Sequence, residues 1–144
     1  MSLDAQYDPD NIFAKIIRRE MPCTKVFEDD DILCFMDVFP QSEGHCLVVH
    51  KSSTATNLLT IDADALSRLT LTTQNIVRAV AKGLAPDGIR VAQFNGAPAG
   101  QTVFHLHFHV IPIYGGAPLG AHASGGPVGA EILEPVAARI RSAL

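Results

Sequence analysis

Apolar positions along the chain repeat every three to four residues in some stretches and every second residue in others, and each change of period marks a predicted element. Ile12, Phe13, Ile16 and Ile17 share one helical face behind Asn11, a capping residue, so a short helix is predicted through about Glu20, with Pro22 as its stop. Lys25 to Asp29 and Asp31 to Asp37 read as two strands around an acidic turn, Glu28 to Asp31, which is expected to be a solvated hairpin tip. Val38 to Gly44 reads as a loop, His45 to Lys51 as a third strand, and Ser52 to Asn57 as a polar connection. Asp62 can cap a long helix to about Leu84, with Leu66, Leu69, Thr73, Ile76, Val77, Val80 and Leu84 as its buried stripe. After a turn at Pro86, Asp87 and Gly88, two further strands are predicted, Ile89 to Asn95 and Gln101 to Tyr114, separated by the loop Gly96 to Gly100.

Residues 1 to 10 read as a loose arm. Gly115 to Gly129, with six glycines and two prolines, is irregular. Ala130 to Ala143 has helical composition, with Ile132, Leu133, Val136 and Ile140 as a packing stripe. Strands joined by short turns pair antiparallel, so the predicted class is α+β: one five-stranded antiparallel sheet, a short N-terminal helix, one long helix and an extra C-terminal helix, with the helices on one face.

Composition narrows the function classes. The chain has 144 residues, 47% of them hydrophobic, which fits one domain with a real core. Fifteen carboxylates against 11 Lys and Arg leave a net charge of −4, so the basic surplus of a nucleic-acid binder is missing. No stretch approaches the ~20 apolar residues that span a bilayer, and no membrane partner is expected. The opening MSLDAQYDPDNIF has no basic region and does not read as a signal peptide. Cys23, Cys34 and Cys46 are odd in number and form no CxxC, so neither a disulfide framework nor a cysteine zinc site is expected. Cys34 and Cys46 lie in apolar runs as small core residues. A reducing cytoplasm is the simplest setting.

The segment Thr102-Val-Phe-His-Leu-His-Phe-His-Val-Ile-Pro112 holds half of the six histidines. In a strand, His105, His107 and His109 share one face, and Phe104, Leu106, Phe108 and Val110 share the other, which is the core face. Three readings stand side by side. A polar outer face can use histidine by chance. Neighbouring imidazoles can share a metal, but residues i and i+2 lie about 7 Å apart along a strand and converge poorly on one ion. Imidazoles can also act on a phosphate, one as nucleophile and its neighbours as donors; His107, flanked on both sides, is then the nucleophile.

The run His105-Leu-His107-Phe-His109-Val-Ile resembles the signature of the histidine-triad (HIT) family of nucleotide hydrolases and transferases, and the chain looks most like its small dimeric Hint-like branch. Other landmarks agree: Asn11-Ile-Phe-Ala-Lys-Ile-Ile-Arg-Arg-Glu-Met-Pro22, Phe35-Met-Asp37-Val-Phe-Pro40-Gln41, Gly44-His45-Cys-Leu-Val-Val, Asn95-Gly96 and Gly100-Gln101-Thr102-Val103. The resemblance covers about residues 11 to 114, which sets 1–10 apart as an arm and 115–144 as a Gly/Pro-rich tail with a helix.

The resemblance implies a HIT-like fold, a homodimer and a purine nucleotide ligand. His107 would attack the α-phosphate, His109 would bond the phosphate or leaving group, His105 would orient its neighbour, and His45 would be a fourth histidine near the nucleophile. Asn95, Gln101 and Thr102 would surround the phosphate, with backbone amides near Gly100. Imidazolium and fixed dipoles would replace Lys and Arg. Asp37 would accept from the ribose hydroxyls, and Ile12, Phe13, Ile16, Phe35 and Val38 would hold the base. The implied activity is hydrolysis of a purine nucleoside phosphoramidate, of the adenosine 5′-phosphoramidate or AMP-lysine type. A dinucleoside polyphosphate hydrolase and a nucleotide-binding regulatory protein are the alternatives.

The chain departs from the family pattern in places. His50 stands where a proline is usual, and a histidine often found further on is absent near Ser53 and Thr54. The N-terminal cysteine pair that binds zinc in some members is missing, so no metal and no cofactor are expected. The chain has no Trp and continues for about thirty residues beyond Pro112, which unsettles the leaving-group preference. His122, in the glycine-rich stretch, is expected to be a solvated loop histidine.

Overall fold

In the computed structural model, residues 2–120 and 126–144 are described; His122 lies outside them. Asn11 opens helix α1 (Ile12–Ile17) by accepting a hydrogen bond from the Ala14 amide at 2.9 Å. The helix ends short of Glu20 because Arg19 turns left-handed, at φ +66°. Five strands follow the chain as β1 (Lys25–Glu28), β2 (Ile32–Met36), β3 (Cys46–His50), β4 (Gly88–Ala92) and β5 (His107–Ile113). They form one antiparallel sheet in the order β1-β2-β3-β5-β4. The long helix α2 (Ala63–Leu84) starts at Asp62, whose carboxylate accepts from the Ala65 amide at 2.8 Å, and the C-terminal helix α3 spans Ala130–Arg141.

The strand period of two divides the apolar residues between two faces. Ile32, Cys34, Met36, Cys46, Val48, Leu106 and Val110 meet α2 and α3 on one face. Leu33, Phe35, Leu47 and Val49 meet Phe13 of α1 on the other. The sequence predicts all helices on one face; in the structure α1 instead lies on the side that carries the histidines. Along α2, Leu69, Thr73, Ile76, Val80 and Leu84 are buried as expected, Ala65 and Ala79 join them, and Leu66 and Val77 are only half-buried.

The last predicted strand is shorter than expected. It begins at His107, and residues 101–106 run outside the sheet, because this segment bonds to the connection before α2 instead of to a strand. Leu106 N donates to Ala55 O at 3.0 Å, and Gln101 Nε2 donates to Thr56 O at 2.6 Å. The acidic turn is cross-linked as well as solvated. Glu28 pairs with Lys51 at 2.8 Å and Lys25 at 3.0 Å, and those hydrogen bonds hold its carboxyl down at about 2.

The arm is tied down rather than loose. Ala97 N donates to Ser2 Oγ at 3.0 Å, Asn57 Nδ2 to Leu3 O at 3.1 Å, and the Tyr7 hydroxyl lies 2.7 Å from His105 Nδ1. The tail also returns to the body. Gly120 and Gln41 exchange hydrogen bonds of 2.9 and 3.1 Å, and Val128 N donates to Val38 O at 2.8 Å. In α3, Leu133, Ala137 and Ile140 are buried, whereas Ile132, expected in the stripe, is 63% exposed. Helices α2 and α3 approach so closely at Gly83 that a Cβ there would lie 2.6 Å from Arg139 O. All three cysteines are free, with Cys34 and Cys46 buried. Among the described residues no helix is long and apolar enough to cross a membrane.

Because Leu133 closes the core under α2, Leu133→Ala is expected to cost about 3 kcal/mol of folding stability, read from denaturant unfolding. A cost under about 1 kcal/mol would show that α3 is an appendage.

Candidate active site

The register of β2, β3 and β5 builds the floor of a cleft. Phe35 faces Leu47, which faces His109; Leu33 faces Val49, which faces His107. Two apolar rows thus end on two imidazoles. Helix α1 roofs the cleft, and the Phe13 ring stands edge-on to His107 at 4.9 Å and 89°. The enclosed space is about 290 Å³. Ile12, Phe13, Ile16, Phe35, Val38, Asp37, Thr102, His107 and His109 all line it. Ile12 and Val38 are 46% and 39% exposed at its rim. A groove of about 410 Å³ between α2 and the C-terminus is larger, but it holds no imidazole or carboxylate side chain that would do chemistry.

Main-chain groups set the tautomers of the four imidazoles. The assignment follows from partners that can only donate or only accept. His107 Nδ1 lies 2.7 Å from His105 O, so the proton is on Nδ1 and the lone pair on Nε2. His45 Nδ1 accepts from Gln41 N at 3.0 Å, so His45 carries its proton on Nε2. That nitrogen lies 2.9 Å from His109 Nδ1 and 3.4 Å from Asp37 Oδ2. His109 therefore accepts at Nδ1 and offers an Nε2–H. His105 Nε2–H donates to His50 O at 3.0 Å, and burial pushes this imidazole down to about 4.

All three triad histidines and His45 are buried, and the first three gather on the α1 side. Asp37 is buried too, with Oδ1 accepting from Phe39 N at 2.9 Å. Other expected ligand residues face elsewhere. Gln101 is a staple: its Oε1 accepts from Gly96 N at 2.9 Å and its Nε2 donates to Thr56 O and Val103 O. Asn95 Oδ1 accepts from Leu58 N and from Gln93 Nε2, both at 2.9 Å. The Gly100 amide donates to Ala97 O and the Gln101 amide to Gly96 O. These three residues shape the loop leading into the cleft and do not line it; Thr102 does.

Leu47, Val103, Phe39, Pro22 and Cys23 also line the cleft and were not singled out from the sequence. Leu47 was discoverable, since it sits two residues after His45 on the same strand face. Phe94, 5.2 Å from the His109 ring, and Tyr7 carried no local signal. For a metal, Asp37, His45 and His109 bring three ligand atoms within 4.8 Å. A cation entering there has to displace the proton that His45 gives to His109.

Comparison with known proteins places this fold. The HIT domain family matches residues 18–116, and the chain belongs to that family. The crystal structure of a Hit-like protein involved in cell-cycle regulation from Bartonella henselae, with an unknown ligand, is 47% identical and superposes with a TM-score of 0.88 over 96% of this chain and 99% of that one. Among curated relatives, the adenylylsulfatase HINT3 of Arabidopsis thaliana is 39% identical over 72% of this chain, which spans only 52% of that protein. The adenosine 5′-monophosphoramidase hnt1 of Schizosaccharomyces pombe is 39% identical, over 70% of this chain and 72% of its own length.

His105 titrates near 4 in the fold and near 6.5 in the unfolded chain, so between those values the unfolded state binds the extra proton. The contribution of His105 to stability is present above pH 6.5, and about 3 kcal/mol of it is lost as pH drops to 4. Unfolding curves across that range should show the loss in the wild type and a correspondingly flatter profile in His105→Asn.

Proposed function

We propose that the protein hydrolyses purine nucleoside phosphoramidates, of the adenosine 5′-phosphoramidate or AMP-lysine kind, through a nucleotidyl-histidine on His107. The observation that carries this reading is the hydrogen bond from His107 Nδ1 to His105 O. It leaves the lone pair of a neutral imidazole on Nε2, in a residue that lines the cleft. The S. pombe relative's name supports the leaving-group class.

In this scheme Ile12, Phe13, Ile16, Phe35 and Val38 hold the flat base, and the buried Asp37 takes the ribose hydroxyls. Thr102 offers its hydroxyl to the phosphate, while Asn95, Gly100 and Gln101 hold the loop that presents it. His107 Nε2 attacks phosphorus, the P–N bond breaks, and the amine departs with a proton from solvent. His109 Nε2–H hydrogen-bonds the phosphoryl or leaving atom, oriented by His45. Water then attacks phosphorus, the P–Nε2 bond breaks, and the nucleoside monophosphate leaves. No metal or cofactor takes part.

A second reading has a specific support. His109 is arranged as a neutral donor and not as an imidazolium acid. Such a site favours leaving groups that depart without a proton, and the Arabidopsis relative is named for an adenylyl sulfate substrate. The same nucleophile would serve a P–O bond. The protein is further proposed to act as a homodimer in the cytoplasm. Strand β4 is an open sheet edge, and exposed Val91 and Leu71 stand on it and on α2.

Single-turnover mass spectrometry with adenosine 5′-phosphoramidate tests the proposal. The wild type should release AMP and pass through an adduct of one AMP, and His107→Ala should lose both, with a rate loss of about 10⁴-fold or more. Tight AMP binding without turnover or adduct in a folded protein would make it a binding protein instead. Faster turnover of adenylyl sulfate would favour the second reading.

A further inference from the structure

The N-terminal arm lies outside the segment matched by the HIT domain family, yet it reaches the first histidine of the triad. The Tyr7 hydroxyl is 2.7 Å from His105 Nδ1, with the rings 5.6 Å apart. The other ring nitrogen of His105 donates to His50 O, so the neutral ring accepts from Tyr7 at Nδ1. The carbonyl of the same residue receives Nδ1–H of His107. Because β5 begins only at His107, no ladder hydrogen bond holds the backbone of His105. That carbonyl shares its peptide with the Leu106 amide, which donates to Ala55 O, and the His105 ring, bonded at both nitrogens, braces it from the other side. The arm itself is anchored upstream by Ser2 Oγ on Ala97 N and Leu3 O on Asn57 Nδ2.

We propose that Tyr7 is a positioning residue: its hydroxyl holds the Nδ1 side of the His105 ring, whose Nε2–H tautomer the His50 carbonyl sets, and thereby steadies the carbonyl that orients His107. The proposal rests on the reading of His107 as nucleophile. Tyr7 would act through His105 and would not touch the nucleotide.

Tyr7→Phe in the full chain keeps the ring packing and removes only the donor. Two measurements are made on it: nitrogen-15 NMR of the histidine rings across pH, and single-turnover AMP release from adenosine 5′-phosphoramidate. With the hydroxyl gone, the His105 ring loses its Nδ1 partner and the carbonyl that receives His107 Nδ1–H is less firmly held, so the His107 Nδ1 signal should move. The rate of AMP release should fall about tenfold with KM within twofold. An unchanged His107 Nδ1 signal with rates within twofold of wild type would overturn the proposal. So would a rate loss that appears wholly in KM or only as a lowered melting temperature. Should the wild type not turn over at all, the functional reading fails, and the His107 Nδ1 signal alone decides: a shift supports the role of Tyr7 and no shift overturns it.

Discussion

The hydrogen bond from His107 Nδ1 to the carbonyl of His105 is the contact on which the site depends. A carbonyl can only accept, so it dictates where His107 keeps its proton and where it presents its lone pair. The opposite device sets His109: the Gln41 amide can only donate, so it fixes His45, and His45 fixes His109. Main-chain groups do not change roles with pH. Four of the five buried imidazoles among the described residues therefore avoid the cost of unpaired polar burial, while His107 and His109 hold opposite tautomers at the cleft. His105, held neutral by burial, acts as the rigid end of this arrangement.

The sheet separates this chemistry from the stabilising core. One face, packed by α2 and α3, is apolar except for His50 at the end of β3; the other carries the two rows that end on His107 and His109. A one-residue slip of β5 would exchange Phe108 and Val110 for the histidines and lose both faces at once. Two further segments tie the rim. The arm reaches His105 and the 96–101 turn, and the tail bonds to Val38 and Gln41, the loop between Asp37 and His45. Both ends of the chain are thus wired into the walls of the cleft.

Much of this was legible in the sequence where local signals and tertiary contacts agree. Asp62 and the stripe from Leu69 to Leu84 announced α2 because the cap and the period say the same thing. Strands β2 and β3 read clearly as apolar runs between turns. The early end of β5 did not, because His-x-His-x-His alternates identically in a strand and in an extended loop; distant partners, Ala55 O and Thr56 O, decide between them. Nor did the arm, which has no apolar period and is held by hydroxyl and amide bonds. Ile12 and Val38 read as core by hydrophobicity alone, and it took the family resemblance to suggest a ligand wall; the structure leaves both at the rim. Gln101 and Asn95, which the family resemblance sets around the phosphate, each satisfy buried or turn amides of the loop, a role that residue type alone does not reveal. The Gln41 contact to His45 is made by a backbone amide, which no residue type reveals.

The most direct test of this account is the tautomer of each imidazole in the ligand-free protein at neutral pH, read from long-range nitrogen-15 correlations of the histidine rings. The account predicts His107 protonated on Nδ1, and His45 and His109 each protonated on Nε2. A His107 ring protonated on Nε2 would leave its lone pair against the carbonyl of His105 and none for phosphorus, and would contradict the account at its centre.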